Sequence, residues 1–293
     1  MPRRKESITD SDNFTPYFLL FLVLTSGATI MIFVYIGIGI LVLVIAFVLF
    51  LKFVVNAPQK DSEERKAFER ANAVSPKREW ALAFGGILMN AAGESTRTMK
   101  LIDRGPDYLA DIRQGFTHMW GISDGEDALE VLEELVNKQG HTDKANALYA
   151  EHLKPYFASG KTITTISDPP VSELQPYFEA FDGLRLDPMV KFSPEEMSAI
   201  DNFAAWDLGR VAMIGRYSVA FGYITEEQAW PFIEQAAQTA SKIYKDWAQF
   251  FQAYALGRAL AYGGNGAYDY LSYEIAYLLY NENSPVKQHN FKG

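Results

Sequence analysis

The sequence predicts an all-α protein: a multi-helix globular cytoplasmic domain following an N-terminal transmembrane helical hairpin. Three observations carry this expectation. Residues Phe14–Leu51 contain no charged side chain. Helix-start signatures recur through the remainder of the chain, and the apolar residues behind them return at three–four spacing rather than in alternation.

The apolar run is 38 residues long. About 20 such residues span the hydrocarbon of a bilayer, and at ~1.5 Å per residue a single straight helix would reach ~57 Å, nearly twice the ~30 Å available. Two spans, about 14–34 and 37–55, meet that limit, with a turn near Ile36-Gly37-Ile38-Gly39. One tilted or partly buried span is the alternative. A cleaved signal peptide has a core of only ~7–15 residues and a small-residue cleavage site, whereas this run leads into Lys52 and Phe53. Arg3, Arg4 and Lys5 precede it, and Lys52, Lys60, Arg65 and Lys66 follow. Lys and Arg mark cytoplasmic flanks, and an even number of spans puts both flanks on that side. The expected location is the inner membrane, with the bilayer contacted through residues 14–55.

The chain carries a net charge of −9. Residues 1–55 contribute +1 (Arg3, Arg4, Lys5 and Lys52 against Glu6, Asp10 and Asp12), so the remainder carries −10. That balance excludes the basic footprint that duplex nucleic acid requires. The chain has no cysteine, which removes disulfides, thiolate metal sites and a cysteine nucleophile. The expected organisation is a tail at 1–13, the membrane segment at 14–55, a charged linker at 56–75, a helical domain at 76–286 and a tail at 287–293.

Within the domain, Ser75-Pro76 opens a helix through Lys77–Ala92. Ser123 to Glu126, Ser193 to Glu196 and Thr225 to Gln228 have capping-box spacing, in which each side chain serves the other's backbone N–H. The helix opened at Ser193 is expected to carry Ile200, Phe203, Ala204, Val211, Ile214 and Phe221 on its apolar face and to stop at Gly222. The next carries Trp230, Ile233, Ala237, Ala240 and Tyr244. Asp246 caps another, with Trp247, Phe251 and Tyr254 on one face, and the last covers about Tyr268–Tyr280. The Thr- and Pro-rich stretch from Gly160 to Pro188 is expected to hold a short helix or hairpin and to act as a mobile flap.

Polar groups inside these apolar stripes are the candidate site. At 100° per residue, Asp207 lies amid Ile200, Ala204, Val211 and Ile214. An unpaired carboxylate is costly there, so pairing with Arg210 or Arg258 is expected. The favoured reading is a buried ion pair that fixes helix register. A polar pocket of Asp207, Arg210 and Arg258 for an anionic ligand or partner side chain is the alternative, and general-base catalysis by Asp207 the remotest. Trp206, Trp247 and Tyr254 stand at helical spacing beside them and read as core. The histidines (His118, His141, His152, His289) lack His-x-x-x-His spacing or a Glu-rich neighbour set, so no metal site and no cofactor is expected. Gly263-Gly264-Asn265-Gly266 lacks the Lys-Ser/Thr of a phosphate loop and reads as a turn.

Ala205-Trp206-Asp207-Leu208-Gly209-Arg210, Gly222-Tyr223-Ile224-Thr225-Glu226-Glu227 with Trp230, and Trp247 with Tyr254-x-x-Gly257-Arg258 resemble the core signature of the bacterial domain-of-unknown-function 1266 family. Trp120-Gly121-Ile122, Gly140-His141 and Asn283-Ser284-Pro285 are also similar to it, so the resemblance covers roughly Lys77–Pro285. Two positions depart from the family pattern: Asp246 stands where a Ser precedes the Trp, and Val286 where an aromatic is common. The resemblance implies a fold and a bacterial origin but no reaction. The function expected from the residues is a membrane-anchored protein-interaction module, for instance an immunity-type protein, with a protein partner and no catalytic activity. An enzyme, or a small accessory protein acting through its hairpin, are the other classes.

Overall fold

A computed structural model describes residues 62–138, 140–159, 175–190, 192–262 and 271–293. All of them fall in one compact unit, Gln59–Gly293. The membrane segment expected at 14–55, the glycine turn at 263–266 and the first half of the expected flap lie outside the described residues. Among those described, every regular element is helical, and no helix is long and apolar enough to cross a membrane.

Fourteen helices follow one another in the described chain: α1 (Glu63–Ala71), α2 (Pro76–Ala83), α3 (Gly86–Ala91), α4 (Pro106–Trp120) and α5 (Gly125–Glu133), which runs into a π-turn at Glu134–Lys138. Next come α6 (Gly140–Leu148) with a π-turn at Tyr149–Leu153, α7 (Lys154–Ala158), α8 (Gln175–Leu186) and α9 (Pro194–Ser198). The last are α10 (Ala204–Ala220), α11 (Glu226–Ile243), α12 (Trp247–Tyr262), α13 (Leu271–Tyr280) and α14 (Pro285–Gln288). Helix α10 is the axis of the fold: α3, α5, α6, α11 and α12 all pack against it, and nearly every side chain along it is buried.

Helix ends written into the local sequence form as expected. The Ser75 hydroxyl accepts from Arg78 N–H, and full capping boxes close at Ser193/Glu196 and Thr225/Gln228. Asp246 caps α12 as expected, accepting from Gln249 N–H at 2.8 Å. Gly222 ends α10 at φ +75°, a left-handed conformation suited to glycine. The box expected at Ser123 is displaced by one residue. Asp124 caps α5 through the N–H groups of Glu126 and Asp127, and Ser123 donates to Asp127 instead.

Two expected helices are broken. Lys77–Ala92 splits at Phe84-Gly85, and the helix opened at Ser193 stops at Ser198 before α10 begins at Ala204. The second break is stable because distant side chains complete its hydrogen bonds. Asn146 accepts from Phe203 N–H at 2.9 Å, and Asn202 accepts from Ala204 N–H at 2.8 Å. The Tyr244 hydroxyl donates to Asn202 C=O and accepts from Ala205 N–H. Burial pushes the Tyr244 phenol above its ordinary range, so its proton stays available for the carbonyl.

Two segments read as peripheral are integral. Helix α1 lies in the expected linker, yet its Arg65 is buried and donates to Glu94 C=O. The expected tail at 287–293 buries Phe291 among Phe84, Trp247 and Phe250. Trp80 and Trp247 donate their indole N–H to the carbonyls of Phe291 and His289.

Where α10 crosses α12, glycine admits the neighbour. A Cβ on Gly209 would stand 2.7 Å from the Tyr254 ring, and one on Gly257 2.8 Å from Trp206 Cβ. Gly209→Ala is expected to cost about 1–3 kcal/mol through overpacking and to lower the melting temperature of the purified protein. Gly115→Ala, whose nearest neighbour is the flexible end of Met119 at 3.6 Å, is expected to be neutral or stabilising, since alanine favours a helix interior by about 0.5–1 kcal/mol. Equal melting of the two variants would contradict the packing account.

Candidate functional site

Four of the six sequence-selected residues meet at one place. Trp206, Asp207, Arg210 and Arg258 line a cavity of about 790 Å³ beside α10. Helix periodicity brings the first three to one face of α10, and Arg258 comes from α12, one turn before Tyr262. The cavity is completed by Trp120 at the end of α4, Glu134 beyond α5, and apolar side chains that include Val131, Leu135 and Met213.

Asp207 is 1 % exposed, and its partner is Arg210 rather than Arg258. The Arg210 guanidinium donates to one carboxylate oxygen, and Thr142 on α6 donates its hydroxyl to the other at 2.5 Å. Arg210 Nε closes on the Trp206 carbonyl at 2.9 Å. The buried charge is thus paired and hydrogen-bonded on both oxygens, the condition under which burial of a carboxylate is tolerable. The arrangement ties α10 to α6 and sets the rotation of Arg210.

Indole faces hold the guanidinium groups. Arg210 Cζ lies 4.3 Å from the Trp206 ring centre and 5.0 Å from that of Trp120. Arg258 Cζ lies 5.4 Å from Trp206 and 4.8 Å from Tyr262. Such contacts contribute roughly 0.5–2 kcal/mol each and hold the planar cations in fixed orientations. The mouth is apolar as well, since Met119 and Tyr262, which line the cavity, are 70 % and 56 % exposed.

Trp247 and Tyr254 are not in this site. Trp247 packs in an aromatic cluster with Phe84, Phe251 and Phe291. Tyr254 sits behind Trp206 at 5.1 Å, edge to face, and supports it. Polar position within an apolar stripe does not single out Trp120, Glu134, Met119 or Tyr262, which also line the cavity. The spacing of Trp120 and Tyr262 at the last positions of their helices is the signal they carry. Thr142 has no local signal, because its partner is 65 residues away. Among the described residues no group of three His, Asp or Glu side chains is placed to hold a metal ion.

The family model described as "Protein of unknown function (DUF1266)" matches residues 116–291, more than half of the chain, and the chain belongs to that family. The match contains every sequence-selected site residue and the wall formed by Trp120 and Tyr262. No curated protein and no solved structure matches the chain.

Removing Asp207 alone leaves a buried guanidinium without its counter-charge. Asp207→Ala is expected to cost about 3–5 kcal/mol, while the double change Asp207→Leu with Arg210→Met is expected to be near neutral. Thermal unfolding of both variants checks this. A well-folded Asp207→Ala protein would overturn the structural role of the pair.

Proposed function

We propose that this protein is a bacterial membrane-anchored interaction module. Its N-terminal hairpin holds it in the inner membrane with both flanks and the helical domain on the cytoplasmic side. The cavity beside α10 receives a large apolar or aromatic anchor from a partner protein. The observation that carries this reading is the cavity itself: indole, phenol and aliphatic groups surround Asp207, Arg210 and Arg258 in its walls, and exposed Met119 and Tyr262 line it. Interface energy concentrates in pockets that take a buried aromatic or apolar anchor.

The charge balance supports a partner of opposite sign. The chain beyond residue 55 carries −10, which favours encounter with a basic surface surrounding the anchor. A catalytic role for Asp207 is disfavoured by its geometry, because both oxygens are committed to Arg210 and Thr142. The guanidinium pair supports one further reading, an anionic ligand held at Arg210 and Arg258. An immunity-type role, in which the partner is a toxin acting at the inner membrane, is one instance of the interaction reading.

Affinity capture with the full-length, detergent-solubilised protein tests the interaction. A stoichiometric partner is expected, with capture weakened at least tenfold by Met119→Asp and Tyr262→Asp while melting temperature is unchanged, and weakened again as salt is raised. Capture indifferent to both substitutions would overturn the cavity as the binding surface. A small anion co-purifying with the wild type and lost from Arg258→Gln would favour the ligand reading instead.

Topology is tested separately. In intact spheroplasts, added protease is expected to leave the domain uncut, and in inverted vesicles to digest it. The opposite pattern would give a single span and an exported domain.

A further inference from the structure

A second pocket, of about 330 Å³, lies where α1 meets α3 and the C-terminal segment. This is the lower end of the size range of small-ligand sites. It lies largely on residues before the family match, and its lining is polar where the cavity beside α10 is aromatic. Arg65, Lys66, Arg70 and Arg97 bring four cations to it, against the two carboxylates of Glu69 and Glu79. Both acids are already engaged. Glu69 accepts from Arg65 Nε at 3.3 Å and from the Ser95 hydroxyl at 2.7 Å, and Glu79 accepts from Arg97. Lys66 is paired with Glu63 outside the lining, and the lining still holds two more cations than carboxylates in a chain that is net acidic.

Buried polar atoms there lack partners. Asn90 is 2 % exposed, lines the pocket, and has no hydrogen-bond partner for either its carboxamide oxygen or its nitrogen. Arg65 is 7 % exposed. Its Nε and one terminal nitrogen are used by Glu69 and Glu94 C=O, while the other terminal nitrogen, Nη1, is buried without a partner. Native interiors rarely leave such groups unmade. An asparagine that offers a donor and an acceptor together, beside an arginine with a spare N–H, matches a ligand that is an anion next to a hydroxyl or amide.

The surroundings are fixed rather than pliable. Arg97 bridges the walls, donating to Glu79, to Gln288 Oε1 at 2.8 Å and to Asn283 C=O at 2.6 Å. It holds the turn after α13 and helix α14 against the segment that follows α3. We propose that this pocket is a binding site for a small oxyanion, carboxylate or phosphate, carried on a group with a neighbouring hydroxyl or amide. Arg65 and Arg70 supply the charge, and Asn90 reads the neutral group beside it.

Calorimetric titration of the full-length protein in detergent with inorganic phosphate, glycerol 1-phosphate and succinate tests this, with sodium chloride at matched ionic strength as the control. Saturable binding of at least one anion is expected. Asn90→Leu, an apolar side chain of similar size, is expected to weaken it at least tenfold with an equal or higher melting temperature. Arg70→Gln, at an exposed position, is expected to weaken it several-fold. Reconstitution into phosphatidylcholine nanodiscs with and without phosphatidylglycerol distinguishes the sources of phosphate. Asn90-dependent stabilisation by phosphatidylglycerol assigns a lipid headgroup, and binding in detergent alone assigns a free anion. Heats no larger than those of sodium chloride, or an Asn90→Leu protein that titrates like the wild type, would overturn the site.

Discussion

The crossing of α10 over α12 is the constraint from which the rest of the domain follows. Two glycines remove the side chains that would keep the backbones apart, and a third lets the neighbouring break approach α10. Gly209 admits the Tyr254 ring and Gly257 admits Trp206, while at the break between α2 and α3 a Cβ on Gly85 would stand 2.6 Å from the Ala212 Cβ. Each helix is thus held at a depth and rotation that a single methyl group would disturb. The rotation of α10 is what turns Trp206, Asp207 and Arg210 toward one cavity, and the depth of α12 is what brings Arg258 over the Trp206 ring. The geometry of the cavity is a by-product of close packing at Gly209 and Gly257, each next in sequence to a cavity arginine.

Buried arginines solve a different problem in the same fold. The segment from Gly93 to Gly105 has no regular structure, so its carbonyls need donors from elsewhere. Arg216, wholly inside, supplies three: it donates to Ser95, Met99 and Lys100 C=O. Burial pulls its guanidinium down to about 10, partly offset by Glu94 nearby, which leaves it charged at neutral pH. Arg65 adds a fourth contact at Glu94 C=O. Arg216 lies within the family match and the segment it clamps lies before it, so the cooperative unit is larger than the matched residues.

The parts legible in the sequence are those whose causes are local. Caps at Ser75, Ser193, Thr225 and Asp246 act within three residues, and each could be read directly. The burial of Asp207 was legible from periodicity, as was its need for a cation, because a carboxylate amid Ile, Val and Ala admits few alternatives. Which arginine answers it was not legible. Both stand at plausible positions, and the choice depends on the rotation set by Gly209 and on Thr142 from another helix. The breaks at Phe84-Gly85 and before Ala204 were hidden for the same reason. Apolar spacing continues through them, and the second is sustained by Asn146 and Tyr244, which are near only once the chain has folded. Helix α1 and the segment ending at Phe291 read as linker and tail because charge and small size are all that local composition reports. Their burial rests on Arg65 and on the Trp80 and Trp247 indoles.

The two recesses differ in how their cations are occupied, and that difference separates their chemistry. Beside α10, Arg210 is neutralised by Asp207 and lies over two indole rings, so it offers a contact surface more than a field. What remains to be satisfied there is apolar area, which a protein side chain supplies well. Beside α1 the apolar area is small and the unmet demand is for hydrogen bonds, from Asn90 and Arg65. A recess of about 330 Å³ suits a small molecule or a single headgroup better than a partner surface. Arg97 links that pocket to α14, and Trp247 links the residue after α14 to α12, which also carries Arg258. The C-terminal segment therefore closes one wall of the pocket beside α1 and is pinned to the start of α12.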